Sequence, residues 1–260
     1  MANVAAPVKG TQPEGTHTEA DASRKVREMF AKIAPRYDFL NHFLSFDTDR
    51  LWRKRTARLL RPILQRPDAN VLDLCCGTGD LSLSLAREGQ ARIFGADFAH
   101  PMLVRAAGKT SSQLTNPSNG APRILTFLEA DALRLPFADQ SFDLVTTAFG
   151  FRNLANYEAG LREIHRILKP GGTIAILEFT EPPAGLLGAI YRWYFREVLS
   201  RLGGLISGNY AAYTYLPKSV SRFFLPPELS SLMQQVGYIS VNFCLWTFAT
   251  VALHTAQRPL

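Results

Sequence analysis

Four carboxylates stand where a nucleotide-type ligand could use them. Asp73 lies inside the apolar run Val71-Leu72-Asp73-Leu74, Asp97 ends a second apolar run and Asp131 follows a third, while Asp80 opens a helix-forming stretch directly after Gly77-Thr78-Gly79. An acid at the end of a second strand accepts hydrogen bonds from ribose hydroxyls, and the glycines let the backbone press against the ligand. Asp131 can accept an adenine amino group or simply cap a turn, and alone it does not rank those roles.

The four together discriminate between ligands. A dinucleotide fingerprint requires a third glycine three residues after Gly79, where Ser82 stands. A pyrophosphate prefers a helix N-terminus free of acids, yet Asp80 opens this one. A carboxylate-lined crevice suits a cationic donor with a sulfonium and an ammonium group, which makes S-adenosylmethionine the expected cofactor. The later turn Leu168-Lys169-Pro170-Gly171-Gly172-Thr173, often seen in class I methyltransferases, agrees.

Strands and helices must alternate to hold these groups at one sheet edge. Apolar runs predict strands over 70–75, 92–97, 124–129, 143–149 and 173–179. Helices are expected at 79–87, 101–108 and 157–168, and two closing strands at 239–245 and 248–254. The expected fold is α/β, a Rossmann-like class I methyltransferase with a mostly parallel seven-stranded sheet, N-terminal helices and a helical lid insertion. The boundaries read as a disordered tail at 1–22, front helices at 23–65, a cofactor-binding core at 66–182, the lid and substrate insertion at 183–236 and terminal strands at 237–260. Val26, Met29, Phe30 and Ile33 space an amphipathic helix from Ser23 to Ala34, capped by Asp21 or Ser23. Residues 109–123 read as a mobile loop and 207–225 as a polar and aromatic loop.

The chain has 260 residues, 47% hydrophobic and 20% charged, which suits one soluble domain, and its net charge of +7 fits an anionic partner, nucleic acid or membrane, but by itself fits a solvated basic surface better. Three cysteines provide neither a disulfide framework nor zinc spacing, and no apolar stretch approaches the roughly 20 residues of a spanning helix. No metal is expected. The predicted location is cytoplasmic, at the inner face of the membrane.

Several segments resemble the C-methyltransferases of ubiquinone and menaquinone biosynthesis. They are Ile33 through Asn41, Leu72 through Leu81, Phe149-Gly150-Phe151-Arg152-Asn153, Tyr213-Thr214-Tyr215-Leu216 and Val251-Ala252-Leu253-His254. The resemblance spans Val26 to His254 and implies methylation of a prenylated hydroquinone ring carbon, with demethylmenaquinol favoured. By resemblance Thr78, Asp97, Asp131 and Ala132 fall on cofactor-binding positions. Ala148 stands where relatives often carry serine, so only its backbone could touch the cofactor. The expected cofactor set is therefore Asp73, Gly77, Thr78, Gly79, Asp97, Asp131, Ala132 and Ala148.

Ring methylation needs an electron-rich carbon, so a group must hold the developing phenolate. Arg152 is the first candidate, directly or through a polarised water, with Asn153 and Asn41 orienting ring oxygens and Asp38 in support. The aromatic segment 190–195 is expected either to wall an isoprenoid channel, with its arginines near lipid phosphates, or to be a lid helix packed on the front helices. Expected partners are the quinol, a transient membrane contact and a second copy in a homodimer, without nucleic acid. An RNA methyltransferase would cluster basic and aromatic residues along one face. Here the densest basic stretch, Arg50 to Arg61, interleaves with Trp52, Leu59 and Leu60, which the front helix needs for packing. The same sheet could also serve a small-phenol O-methyltransferase or a non-enzymatic quinone binder.

Overall fold

Unbroken apolar runs form the strands. Leu72 and Leu74 of β1 (Asn70–Leu74) point into one core and Val71 into the other, the two-residue alternation of a strand buried on both faces. The computed structural model describes residues 10–45, 47–113, 124–181, 185, 188 and 210–260. With β2 (Arg92–Asp97), β3 (Leu125–Glu129), β4 (Phe142–Ala148), β5 (Leu168–Phe179), β6 (Ile239–Trp246) and β7 (Val251–Gln257), β1 builds a seven-stranded sheet of order β3-β2-β1-β4-β5-β7-β6. β3, β2, β1, β4 and β5 run parallel, whereas β7 is antiparallel to both of its neighbours. The order reverses between β1 and β4, and a crevice opens there beyond the strands' carboxyl ends.

Helices α1 (Glu19–Ile33), α2 (Tyr37–Leu44), α3 (Thr48–Leu59) and α4 (Arg61–Leu64) precede the sheet. α5 (Asp80–Glu88), α6 (His100–Gln113) and α7 (Tyr157–Ile167) alternate with its strands, and α8 (Tyr210–Ser221) and α9 (Pro226–Val236) follow β5. Trp52 of α3 and Leu81 and Leu85 of α5 fill one face of the sheet, and Leu161 and Ile164 of α7 with Leu229 and Met233 of α9 fill the other. Asp73 has the parity of Val71, so it faces α5 and meets Ser82. Among the described residues no helix is long and apolar enough to cross a membrane.

Several local expectations are corrected. The expected disordered tail does not extend over 10–22. The Thr11 amide donates to the Leu154 carbonyl at 2.8 Å, and a Cβ on Gly10 would lie 2.1 Å from the Ala155 backbone. Thr18, not Asp21 or Ser23, caps α1, accepting from the Asp21 amide at 3.1 Å. Helix α6 runs on to Gln113, so 109–113 of the expected loop are helical, and 114–123 lie outside the described residues. Residues 210–221 are helical although Pro217 lies among them, and Ser219 and Val220 of this helix are buried. The closing hairpin turns at Thr247, Phe248 and Ala249, all with positive φ, which moves the last strand to Val251–Gln257. The aromatic segment 190–195 and nearly all of 182–209 lie outside the described residues, as does residue 213 at side-chain level.

Candidate active site

The glycine turn is held from below. The amides of Gly77 and Ala99 donate to Oδ2 and Oδ1 of Asp97, each at 2.9 Å, so the acid that ends β2 braces the turn leaving β1. Gly79 sits at φ +82, and a Cβ there would lie 3.0 Å from the Phe127 ring and 3.1 Å from Ala106. Both the backbone conformation and the space demand glycine. Asp73 accepts from the Ser82 hydroxyl at 2.5 Å and from Thr146 at 3.3 Å. Burial pushes the Asp73 carboxyl up to about 7 and that of Asp97 to about 6, against the hydrogen bonds that favour their ionised forms.

These groups open onto a cleft of about 910 Å³, counted with its mouth. Phe98, Met102, Ala130 and Leu133 give it an apolar wall, and Thr78, Asp80, Arg53 and Phe149 line it as well. All eight residues of the expected cofactor set line it except Gly79, which lies directly behind the turn. Asp131 accepts from the Leu133 amide at 2.9 Å and also lines the cleft, so its capping and ligand-facing roles are compatible. Cys75 and Cys76 line it too, as thiols that burial raises well above their ordinary range.

The expected catalytic residues divide. Asn153 lines the cleft, its Oδ1 accepting from the Tyr215 hydroxyl at 2.9 Å and its Nδ2 donating to the Phe149 carbonyl at 3.4 Å. Tyr215 in turn meets the Thr11 hydroxyl at 2.8 Å. Arg152 does not line the cleft. Its guanidinium is buried against Glu178 at 2.6 Å, donates to the Phe149 carbonyl and to Ser219 at 3.3 Å, and lies over the Phe179 ring. A direct hold on a phenolate by Arg152 is corrected on that ground: the carboxylate of β5 already takes the charge. Asp38 also stays off the cleft wall. It accepts from the Thr78 hydroxyl and pairs with Lys109 at 2.7 Å, tying α2 to the glycine turn. Asn41 hydrogen-bonds Tyr37, a buried phenol raised above its ordinary range by desolvation.

Sequence reasoning missed Tyr37, Phe30, Ser23 and Arg53 as parts of the cleft wall. Arg53 had one legible signal. It follows Asp49 by one helical turn on the face that carries Thr56 and Ala57, a charged residue on an inward stripe. Among the described residues, ligand atoms of His42, Asp49 and Asp80 lie within 4.8 Å of one another. Arg53 pairs with Asp49 and reaches Asp80 at 3.9 Å, so a guanidinium already balances that acidic group.

The donor set fits S-adenosylmethionine. Four acids oppose a ligand with two positive centres, Asp97 lies at the end of β2 for ribose hydroxyls, and an apolar wall suits adenine. Comparison with known proteins agrees. A model described as the ubiE/COQ5 methyltransferase family matches residues 18–258. A demethylmenaquinone methyltransferase of Thermus thermophilus is 49% identical over 89% of this chain and 100% of its own length. One from Deinococcus radiodurans is 47% identical over 84% and 86%. A ubiquinone/menaquinone biosynthesis C-methyltransferase UbiE of Geobacter sulfurreducens is 39% identical over 92% and 91%. The solved structure of a SAM-dependent methyltransferase of Thermotoga maritima, described as a possible histamine N-methyltransferase, superposes with a TM-score of 0.60 at 18% identity. It covers 90% of this chain and 99% of that one, and shows the shared fold. Fold, cleft chemistry and nearly full-length similarity converge: the chain belongs to the ubiE/COQ5 methyltransferase family.

Proposed function

We propose that the chain methylates a ring carbon of a prenylated hydroquinone, converting demethylmenaquinol to menaquinol with S-adenosylmethionine as donor. The observation that carries this reading is Asn153, a carboxamide held by Tyr215 on the wall of the donor cleft, where it can meet a ring oxygen. The names of the 49% and 47% identical relatives support the menaquinone head group over the ubiquinone one.

S-adenosylmethionine supplies a methyl already activated on sulfonium, so the protein's work is alignment and charge. Good alignment contributes about 7–11 kcal/mol to such reactions. Asn153 orients the ring hydroxyl. When that hydroxyl ionises, electron density moves to the neighbouring carbon, the carbon–methyl bond forms as the sulfur–methyl bond breaks, and the ring C–H proton then leaves while the ring oxygen regains its proton. One proton is released overall. Arg152 is a positioning residue here. Its bonds to the Phe149 carbonyl and Glu178 hold the turn that carries Ala148, Phe149, Gly150 and Asn153. Phe30, Tyr37, Leu133 and Leu154 line the cleft and keep water from the reacting atoms. Purified protein given labelled donor and reduced demethylmenaquinone should yield a product whose fragments carry the label on ring carbon. Label on oxygen, or on RNA offered in parallel, would overturn the reading.

We infer that the quinol is collected at an anionic membrane surface. Leu51, Leu245 and Phe248 are 62%, 46% and 76% exposed, beside the exposed cations Arg50, Lys54 and Arg55. The hairpin that bears Phe248 is fixed to α3 by the Trp52 indole, which donates to Thr247 at 2.9 Å, and by Arg55 over Trp246. That hairpin lies beside the carboxyl end of β5, the cleft's edge of the sheet, because Val251 pairs with Phe179. Phe248→Ser should weaken co-sedimentation with phosphatidylglycerol vesicles by about tenfold, as expected from losing one inserted aromatic ring. Equal binding to neutral and anionic vesicles would argue against a charge-led contact.

A further inference from the structure

Asp73, Asp80, Asp97 and Asp131 give the cleft wall four carboxylates, against which its described lining residues set a single cation, Arg53. This imbalance suits the sulfonium and ammonium of the donor. It is hostile to the donor's third charged group, the carboxylate of its methionine moiety. That carboxylate must find a positive site or lose affinity for every acid that it approaches.

Arg53 is built for the task. It is buried at 6% exposure, and its guanidinium is held by Asp49, by Asp80 at 3.9 Å and by the face of Phe149 at 5.4 Å to the ring centroid. Only Nη1 is committed to Asp49. A guanidinium has five donors in a planar fork, so the remaining N–H groups can take a carboxylate side by side. The neighbouring lysine does not compete for this role. Lys109 bonds Thr78 at 3.0 Å, Asp38 at 2.7 Å and Asp80 at 2.6 Å, and is not among the lining residues. Arg53 also comes from α3, before the sheet begins, so the front helices contribute directly to the donor site and not only to packing.

We propose that Arg53 binds the α-carboxylate of the methyl donor and so selects ligands that retain the amino-acid moiety, an assignment that rests on the S-adenosylmethionine reading of the cleft. Asp49 and Asp80 then act as positioning residues that fix the guanidinium.

The test removes the charge from either side. Calorimetry would compare S-adenosylhomocysteine with its decarboxylated analogue, on the wild-type protein and on Arg53→Gln combined with Asp49→Asn, which avoids stranding a buried carboxylate. Wild-type protein should prefer the carboxylate-bearing ligand by about 10- to 100-fold, the usual range for one charge-assisted pair. In the double variant the preference should fall to within about 3-fold, while affinity for the decarboxylated ligand stays near wild type. Arg53→Lys, which keeps a charge beside Asp49, should retain part of the preference and serves if the double variant does not fold. Equal weakening of both ligands would show that Arg53 only supports the cleft, and an undiminished preference would assign the carboxylate to backbone amides; either result overturns the proposal. If wild-type protein bound neither ligand, the donor assignment itself would fall, an outcome distinguishable from the other two.

Discussion

Arg152→Met should cost about 3–5 kcal/mol of stability, since it strands a carboxylate in the interior. Arg152 and Glu178 have side chains only 5% and 2% exposed, at 2.6 Å from one another. Glu178→Leu alone should cost a similar amount. The double variant Arg152→Met with Glu178→Leu should recover most of the loss, because two packed apolar groups leave no charge behind. Urea unfolding of the three variants measures the coupling. Activity should follow a different course. Even in the stable double variant, methyl transfer should fall by about 100-fold, as a misplacement near 1 Å does. Donor affinity should fall less, by no more than about 10-fold, since the guanidinium anchors the Phe149 carbonyl beside Asn153 and not the glycine turn. A double variant with wild-type turnover would reduce Arg152 to scaffolding.

Donor affinity should rise with pH between about 5.5 and 7.5, by roughly 10- to 100-fold, because one titrating group changes affinity by up to tenfold per pH unit. Burial holds Asp73 protonated to about 7 and Asp97 to about 6. In the free protein this raised affinity for protons is a liability. The unfolded chain loses both protons near pH 4, the folded chain keeps them to about 6 and 7, and stability therefore declines across that interval and levels off above it. A cationic ligand favours the ionised carboxylates, so binding near pH 6.5 must expel protons. Calorimetry in two buffers of different ionisation heat reads that release directly, and Asp73→Asn should reduce it. Identical heats in both buffers, with affinity flat across the range, would dismiss the coupling.

Much of this protein is legible in its sequence because the relevant signals are local. Apolar runs mark all five parallel strands to within a few residues, except that β5 begins earlier, at Leu168. The glycine turn, the acid that ends β2 and the acid that opens α5 together discriminate a sulfonium ligand from a dinucleotide, since each is defined by its place on one strand or helix end. Segments whose order rests on distant partners were not legible. Gly10 and Thr11 read as tail because their support, the backbone at 154–155, is far along the chain. The same holds for the site. The roles of Arg152, Asp38 and Asn153 turn on Glu178, Thr78 and Tyr215, which stand 26, 40 and 62 residues away. Periodicity shows which face of a helix turns inward but not what charge it meets there. Sequence by itself determined the sheet, the cofactor class and the acids that come to line one cleft; tertiary structure alone decided that Arg152 is neutralised from β5 and that Arg53 enters the cleft, because ion pairing depends on proximity in space, which a linear spacing does not encode.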